Sequence, residues 1–383
     1  MSRTRIEFNA SRPAEPPALE EWYRRRLGRA ERDISSSGVH PYTYAELRRL
    51  TGLQATDLDG ILVDDSTSQG SPELRRAIAD RYLPGGADRV MVTHGSSEAI
   101  ALTLETLLGP GDRVVLPDML YHSLAHYPRA AGCVLHPVPL DAFTTADTDP
   151  RALERTIPAD TRAVIVNFPH NPTGVTLTNT AYRRLLDRVE QIGAVLVWDA
   201  ATAEMSWDGP SLPDPGTRHP LTVSYGTFSK AFGLPGLRVG WCAAPEELIE
   251  RSFTVRDRTT LFLSPLVEAV ATAAMRSADA LIAPRRAEAR ANLTVLEKWV
   301  ADHQGLVAWT PPGGGVCCLL ELPGVTDSER FCVELLEEYG TLLVPGTAFG
   351  REGAVRLGFG GDQGEFTDGL DTLSAFLHAR GGR

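Results

Sequence analysis

The sequence predicts an α/β fold: a mostly parallel central sheet with helices on both faces, accompanied by a smaller α+β domain. Three observations lead there. Between residues 89 and 245 short apolar runs alternate with longer amphipathic ones, the rhythm of strand, helix, strand. The short runs are dominated by Val, Ile, Leu and Ala without a regular polar alternation, as strands buried on both faces are. The chain of 383 residues also exceeds the size at which single cores stop growing, about 250–300 residues, so a second domain is expected.

In chain order, the predicted strands are 89–93, 113–116, 134–140, 163–167, 194–198, 221–225 and 237–242. Amphipathic helices are predicted at 97–108 and 180–191. The stretch 277–303, rich in Ala, Arg and Leu with little punctuation, predicts a long helix leading into the smaller domain. In such sheets ligands gather at the carboxyl ends of the strands. Gly95, Asp118, Asn171, Asp199 and Lys230 all fall at or just after such ends, so their convergence in space is expected.

Composition narrows the function. The net charge is −11 and basic residues are dispersed among acids, which excludes a phosphate-backbone footprint for nucleic acid and is compatible with a cationic small substrate. No apolar stretch is long enough to cross a bilayer, and residues 1–13 carry no basic-then-apolar leader, so a cytoplasmic enzyme is expected. Five scattered cysteines without a C-x-x-C spacing read as reduced thiols, and Cys317-Cys318 as packing within a strand, not as a metal or redox pair. No metal site is expected.

The run from Thr227 to Gly240 is the most informative. Lys230 is flanked by the hydroxyls of Thr227 and Ser229 and followed by Gly233, Gly236, Arg238 and Gly240. One amine beside hydroxyls, glycines and a guanidinium suits an aldehyde cofactor that carries a phosphate, namely pyridoxal 5'-phosphate (PLP): the lysine forms a Schiff base and Thr227, Ser229 and Arg238 meet the phosphate. Ser96 and Ser97, at a glycine turn opening a helix, read either as phosphate ligands or as a helix cap. Asp199, at the end of an apolar strand, either keeps a pyridine nitrogen protonated or caps the next segment. Asn171-Pro172-Thr173-Gly174 would set an amide near the ring's phenolic oxygen. Tyr121 either stacks on the ring or packs in the core. Arg356 lies inside an apolar strand and needs an anion, either a substrate α-carboxylate or an internal Asp or Glu.

The order Gly95-Ser96-Ser97, Tyr121, Asn171-Pro172-Thr173-Gly174, Asp199, Thr227 to Lys230, Arg238 and Arg356 resembles the class I/II aminotransferase family of PLP enzymes with fold type I. The resemblance implies a homodimer, a large PLP-binding domain (47–276) and a small domain made from both chain ends (1–46 and 277–383). It makes Lys230 the Schiff-base lysine, Asp199 the pyridinium partner and Asn171 the ligand of the ring oxygen. Ser96, Ser97, Thr227 and Arg238 would hold phosphate, Tyr121 would stack on the ring, and Arg356 would clamp the substrate carboxylate. Two positions depart from the family: Thr202 and Asp65 stand where tyrosines are usual. The segment 33–43, with Ser35-Ser36-Ser37-Gly38, resembles the PLP-dependent hydroxyarginine cyclases of the capreomycidine and streptolidine pathways, and places Gly38 beside the substrate.

That likeness implies α-proton abstraction by the freed lysine, β-elimination of water from a β-hydroxylated arginine, and addition of its own guanidine to give a six-membered ring. An ordinary amino-acid aminotransferase is the alternative. His40, His94, His122 and Glu204 fall near the cofactor region by family analogy, and none is assigned as a base. A PLP-fold transcription regulator is disfavoured, because the residues before Arg89 show no basic helix-turn-helix pattern.

Overall fold

The computed structural model describes residues 17–149, 151–207 and 209–381. The expectations on residues 1–13, and the first part of the predicted segment 1–46, therefore lie outside the described residues.

A seven-stranded sheet forms the centre. Its strands lie in the spatial order Val90–Thr93, Gly240–Ala243, Thr222–Thr227, Val195–Asp199, Ala163–Asn167, Arg113–Pro117, Val134–Val138. Pairing is parallel except around Gly240–Ala243, which runs antiparallel to both neighbours. The inner strands read as continuous Val, Ile and Leu because helices cover both faces: all five residues of Ala163–Asn167 and of Val195–Asp199 are buried. Each such side chain contributes about 1.5–3 kcal/mol of transfer free energy.

Helices pack where the periodicity expects them. Asn179–Ile192 buries Ala181, Tyr182, Leu185, Leu186 and Val189 on one face, and the Thr178 side chain caps its start by accepting from Ala181 N. The long helix spans Ala278–Asp302, separated from Pro265–Arg276 by Ser277 alone.

Two expected strands differ in detail. The one predicted at 134–140 stops at Val138 and is an edge strand, with Val134 49% exposed. Pro137 lacks an N–H and is tolerated only where one side of the ladder is open. The one predicted at 237–242 starts only at Gly240, because residues 235–237 form a 3₁₀ turn and Arg238 takes a left-handed conformation.

A second, antiparallel sheet has the order Val344–Pro345, Ala354–Gly358, Cys317–Glu321, Ala308–Trp309. The amino-terminal part of the described chain forms a separate two-stranded sheet. Arg32–Asp33 pairs in parallel with Thr341–Leu342, and on the helix Ala18–Arg26 Trp22 Nε1 donates to Leu343 O at 2.9 Å. That hydrogen bond ties the helix to the residue between Thr341–Leu342 and Val344–Pro345.

Candidate active site

The carboxyl ends of the parallel strands and the helix Ala18–Arg26 enclose a cavity of about 750 Å³. Ser96, Ser97, Tyr121, Asn171 and Asp199 line it from the large sheet, as do Thr227, Lys230 and Arg238. Arg356 faces them from the second sheet. Gly38 stands just behind: a Cβ there would lie 3.5 Å from Ser229 O and 3.9 Å from Lys230 Cδ. The structure thus gathers these residues at one place, whereas Asp118, expected to converge with them, lines a separate cavity beside Met119 and Thr173.

At one end is the start of the helix Gly95–Leu107. Its N-cap residue, His94, makes no side-chain cap, and Ser96 and Ser97 sit inside the first turn instead of before it. The cap reading of these serines is thereby excluded, and both line the cavity at a first turn whose N–H groups lack intrahelical partners. The strand Gly240–Ala243 presses against this turn so closely that a Cβ on Gly240 would stand 2.4 Å from Ser96 N. Arg238 approaches from the same side. Its φ of 56° costs a non-glycine residue about 1–2 kcal/mol. Its Nη1 donates to Pro235 O at 3.0 Å and Ser229 Oγ at 3.4 Å, and it has no carboxylate partner among the described residues. Thr227 Oγ1 accepts from Ser229 N at 3.1 Å and so shapes the lysine loop.

Lys230 Nζ donates to Ser37 Oγ at 2.8 Å. Burial, and then the Arg356 cation, push this amine down to about 8, against the opposing pull of Cys317, Asp199 and Glu20. Asp199 is only 4% exposed, and burial pushes its carboxyl up to about 6, opposed by the Ala201 N–H at 3.0 Å and by Lys230. A carboxylate so placed favours a cationic partner. Asn167 stitches this strand end to the next loop: its Nδ2 donates to Asp199 O at 3.0 Å, and its Oδ1 accepts from Asn171 N at 2.8 Å. Burial raises the Tyr121 phenol, opposed by hydrogen bonds with Ser97 and Ser123.

Arg356 is 1% exposed and meets only neutral acceptors: Ser35 O at 3.0 Å, Tyr23 Oη at 2.6 Å and Asn171 Oδ1 at 3.1 Å. The internal-carboxylate alternative is thereby excluded among the described residues. A buried guanidinium surrounded by neutral acceptors retains its demand for an anion. Its backbone is equally constrained, since a Cβ on Gly358 would fall 1.8 Å from Ser36 O.

Thr202 also lines the cavity, its hydroxyl donating to Pro169 O at 3.1 Å, whereas other candidates fall elsewhere. Asp65 is exposed, in a segment outside the cavity lining. Of the four unassigned groups only His122 lines the cavity, and burial lowers its pKa. His94 bonds Phe262 O, and His40 faces Glu288. Glu204 is held by Arg81 and Tyr82, each at 2.8 Å, in a separate cavity. Cys317, read as filler, touches the site: its Sγ lies 3.7 Å from Asn171 Oδ1, and all five cysteines are free.

Sequence reasoning missed Glu20, Tyr23 and Ser37. Ser37 lay within the distinctive serine segment, whereas Tyr23 and Glu20 carry no motif. Only the amphipathic spacing of Leu19, Trp22 and Tyr23 marked their helix as docked.

Comparison with known proteins follows this geometry. Residues 65–373 match the family model described as aminotransferase class I and II. The chain is 44% identical over 375 residues to capreomycidine synthase of Streptomyces vinaceus, covering 97% of this chain and 96% of that protein. A crystal structure of the PLP-dependent cyclase OrfR superposes with a TM-score of 0.93 at 58% identity, covering 97% of this chain and 100% of that one. A PLP-dependent aminotransferase from Streptococcus suis superposes with a TM-score of 0.88 at 27% identity, over 95% and 98% of the two chains. On the extent of the family match and of the relatives' coverage, this chain belongs to the aminotransferase class I and II family.

Proposed function

We propose that the chain is a PLP-dependent cyclase that acts on a β-hydroxylated arginine and closes a capreomycidine-type six-membered guanidine ring. The observation that carries this reading is the 58% identity to a PLP-dependent cyclase over 97% of the chain, against 27% for the aminotransferase from Streptococcus suis.

The cavity fits the cofactor. The uncapped helix start at Ser96 and Ser97, the close-packed Gly240 and the unpaired Arg238 suit its phosphate. Asp199 suits a protonated pyridine nitrogen, Asn171 the ring oxygen, Tyr121 the ring face and Lys230 the aldehyde. Bound PLP supplies an electron sink that acidifies the substrate Cα–H and lets a β-substituent depart.

The protein's own groups do the rest. Arg356, held by Tyr23 and Ser35, takes the substrate carboxylate and so fixes Cα over the lysine. Burial and the Arg356 cation lower the Lys230 amine towards neutrality, the form able to remove the α-proton. Ser37 keeps the amine aligned for both removal and return. Overall, the Cα proton and the Cβ hydroxyl leave as water. A guanidino nitrogen bonds to Cβ, releasing its proton, and Cα is reprotonated. A folded substrate makes this addition intramolecular, with the corresponding gain in effective concentration.

We also read the protein as a homodimer. Leu62 and Val63 are 80% and 77% exposed side by side, an apolar pair that a partner subunit would cover. Sedimentation at micromolar concentration tests this.

The functional test is incubation of the holoenzyme with 3-hydroxyarginine. A product lighter by one water, without keto acid, supports the cyclase. Formation of an α-keto acid and pyridoxamine phosphate overturns it in favour of an aminotransferase.

A further inference from the structure

The cavity carries three cationic side chains, Lys230, Arg238 and Arg356, and three carboxylates, Glu20, Asp33 and Asp199. Two of the carboxylates are committed. Asp199 accepts from Ala201 N at the strand end, and Asp33 Oδ1 accepts from the Ser35 backbone N–H at 2.9 Å as well as from its hydroxyl. Glu20 is exposed at the cavity mouth and has no hydrogen bond or ion pair to any described residue, although Arg24 and Arg25 follow it in the same helix.

Its place on the helix Ala18–Arg26 is informative. Residues three and seven apart share a helix face, and Glu20, Tyr23 and Leu27 all line the cavity. Tyr23 marks the carboxylate end of the substrate site through its 2.6 Å contact with Arg356. Glu20 lies one turn away along the same face, about 4.5 Å of helix rise. Lys230, Tyr121 and His122 line the same cavity as Glu20. Of the three lining carboxylates, Glu20 is the one without a hydrogen-bond partner among the described residues, and so the one free to meet a substrate cation.

We propose that Glu20 receives the distal guanidinium of the substrate and selects guanidine-bearing amino acids. The inference rests on the reading that the substrate is an arginine derivative. Arg356 and Glu20 then hold the two charged ends of one molecule, and the fold of the chain between them is set by their separation. A carboxylate that engages the guanidinium side-on, through Nε–H and the Nη trans to Cδ, leaves the other Nη, the nitrogen that can close a six-membered ring, on the side of Cβ.

The test uses holoenzyme and two ligands that lack a β-hydroxyl, so no water can be expelled: L-arginine and its neutral isostere L-citrulline. Binding is followed by the change in cofactor absorbance. The wild type is expected to bind arginine at least about tenfold more tightly than citrulline, and Glu20→Gln to lose that preference with citrulline affinity and cofactor uptake unchanged. Glu20→Asp is expected to restore part of it. Equal binding of both ligands by the wild type, a preserved arginine preference in Glu20→Gln, or an equal loss for both ligands would overturn the proposal. The outcome is independent of ring closure: arginine selection through Glu20 in an enzyme that fails to turn over 3-hydroxyarginine would leave this inference standing and remove the cyclase reading.

Discussion

Asp199→Asn tests how the site is electrostatically prepared. The carboxyl rises from 3.8 to about 6 because burial penalises its charged form. About two units correspond to about 3 kcal/mol at most. The sign follows from linkage. The folded state holds this proton more tightly than the unfolded state, so no penalty exists below pH 4. The penalty grows as pH rises through the window between 3.8 and about 6, and is complete above it. Cofactor-stripped protein should therefore lose stability from this group as the carboxyl ionises, and asparagine, of similar shape but without charge, should not. In urea unfolding of the stripped forms, the variant is expected to be more stable than the wild type at pH 7. Its advantage should be smaller at pH 5 by roughly 1 kcal/mol. Saturation with PLP should reverse the order, because only the carboxylate gains a cationic partner. An advantage that is constant with pH, or a stripped variant less stable than the wild type at pH 7, would refute the reasoning.

Three further substitutions probe the rest of the site. Lys230→Ala should abolish the visible absorbance of the enzyme-cofactor imine while PLP still binds non-covalently, and should slow exchange of the substrate α-proton by about 10²–10⁴-fold, measured by NMR in heavy water. Tyr23→Phe removes one neutral acceptor from the buried Arg356, so KM should rise about tenfold with kcat changed much less, as steady-state kinetics would report. Gly240→Ala forces a methyl against Ser96 N; overpacking of about 1–3 kcal/mol should weaken PLP about ten- to a hundredfold in a fluorescence titration, with the far-UV circular dichroism unchanged.

The large sheet was legible because burial on both faces leaves runs such as Ala163–Asn167 with no polar interruption before Asn167. Direction and edge position were not. The hydrophobicity of Gly240–Ala243 is the same whether it runs parallel or antiparallel, and Val134–Val138 looks buried until Pro137 is seen at an open ladder. In the site, residues at strand ends could be read because the chain itself brings Asn171, Asp199 and Lys230 to one rim. Contacts across the two sheets could not. Arg356 meets Tyr23, 333 residues away in sequence, and Lys230 meets Ser37, 193 residues away. Whether Arg356 had an internal carboxylate, and whether Ser96 and Ser97 were caps, turned on such distant neighbours or on one residue of helix register. Glu204 shows the converse: family analogy set it near the cofactor region, yet five residues after Asp199 it belongs to a different cavity, held by Arg81 and Tyr82.

The most direct measurement of the account is turnover of 3-hydroxyarginine by the purified holoenzyme with every α-keto acid removed. A cyclase regenerates its lysine-bound cofactor in each cycle, so many equivalents of dehydrated cyclic product per active site are expected, at a rate unchanged when a keto acid is added. Arrest after one equivalent, with pyridoxamine phosphate accumulating until a keto acid restores the reaction, would contradict it.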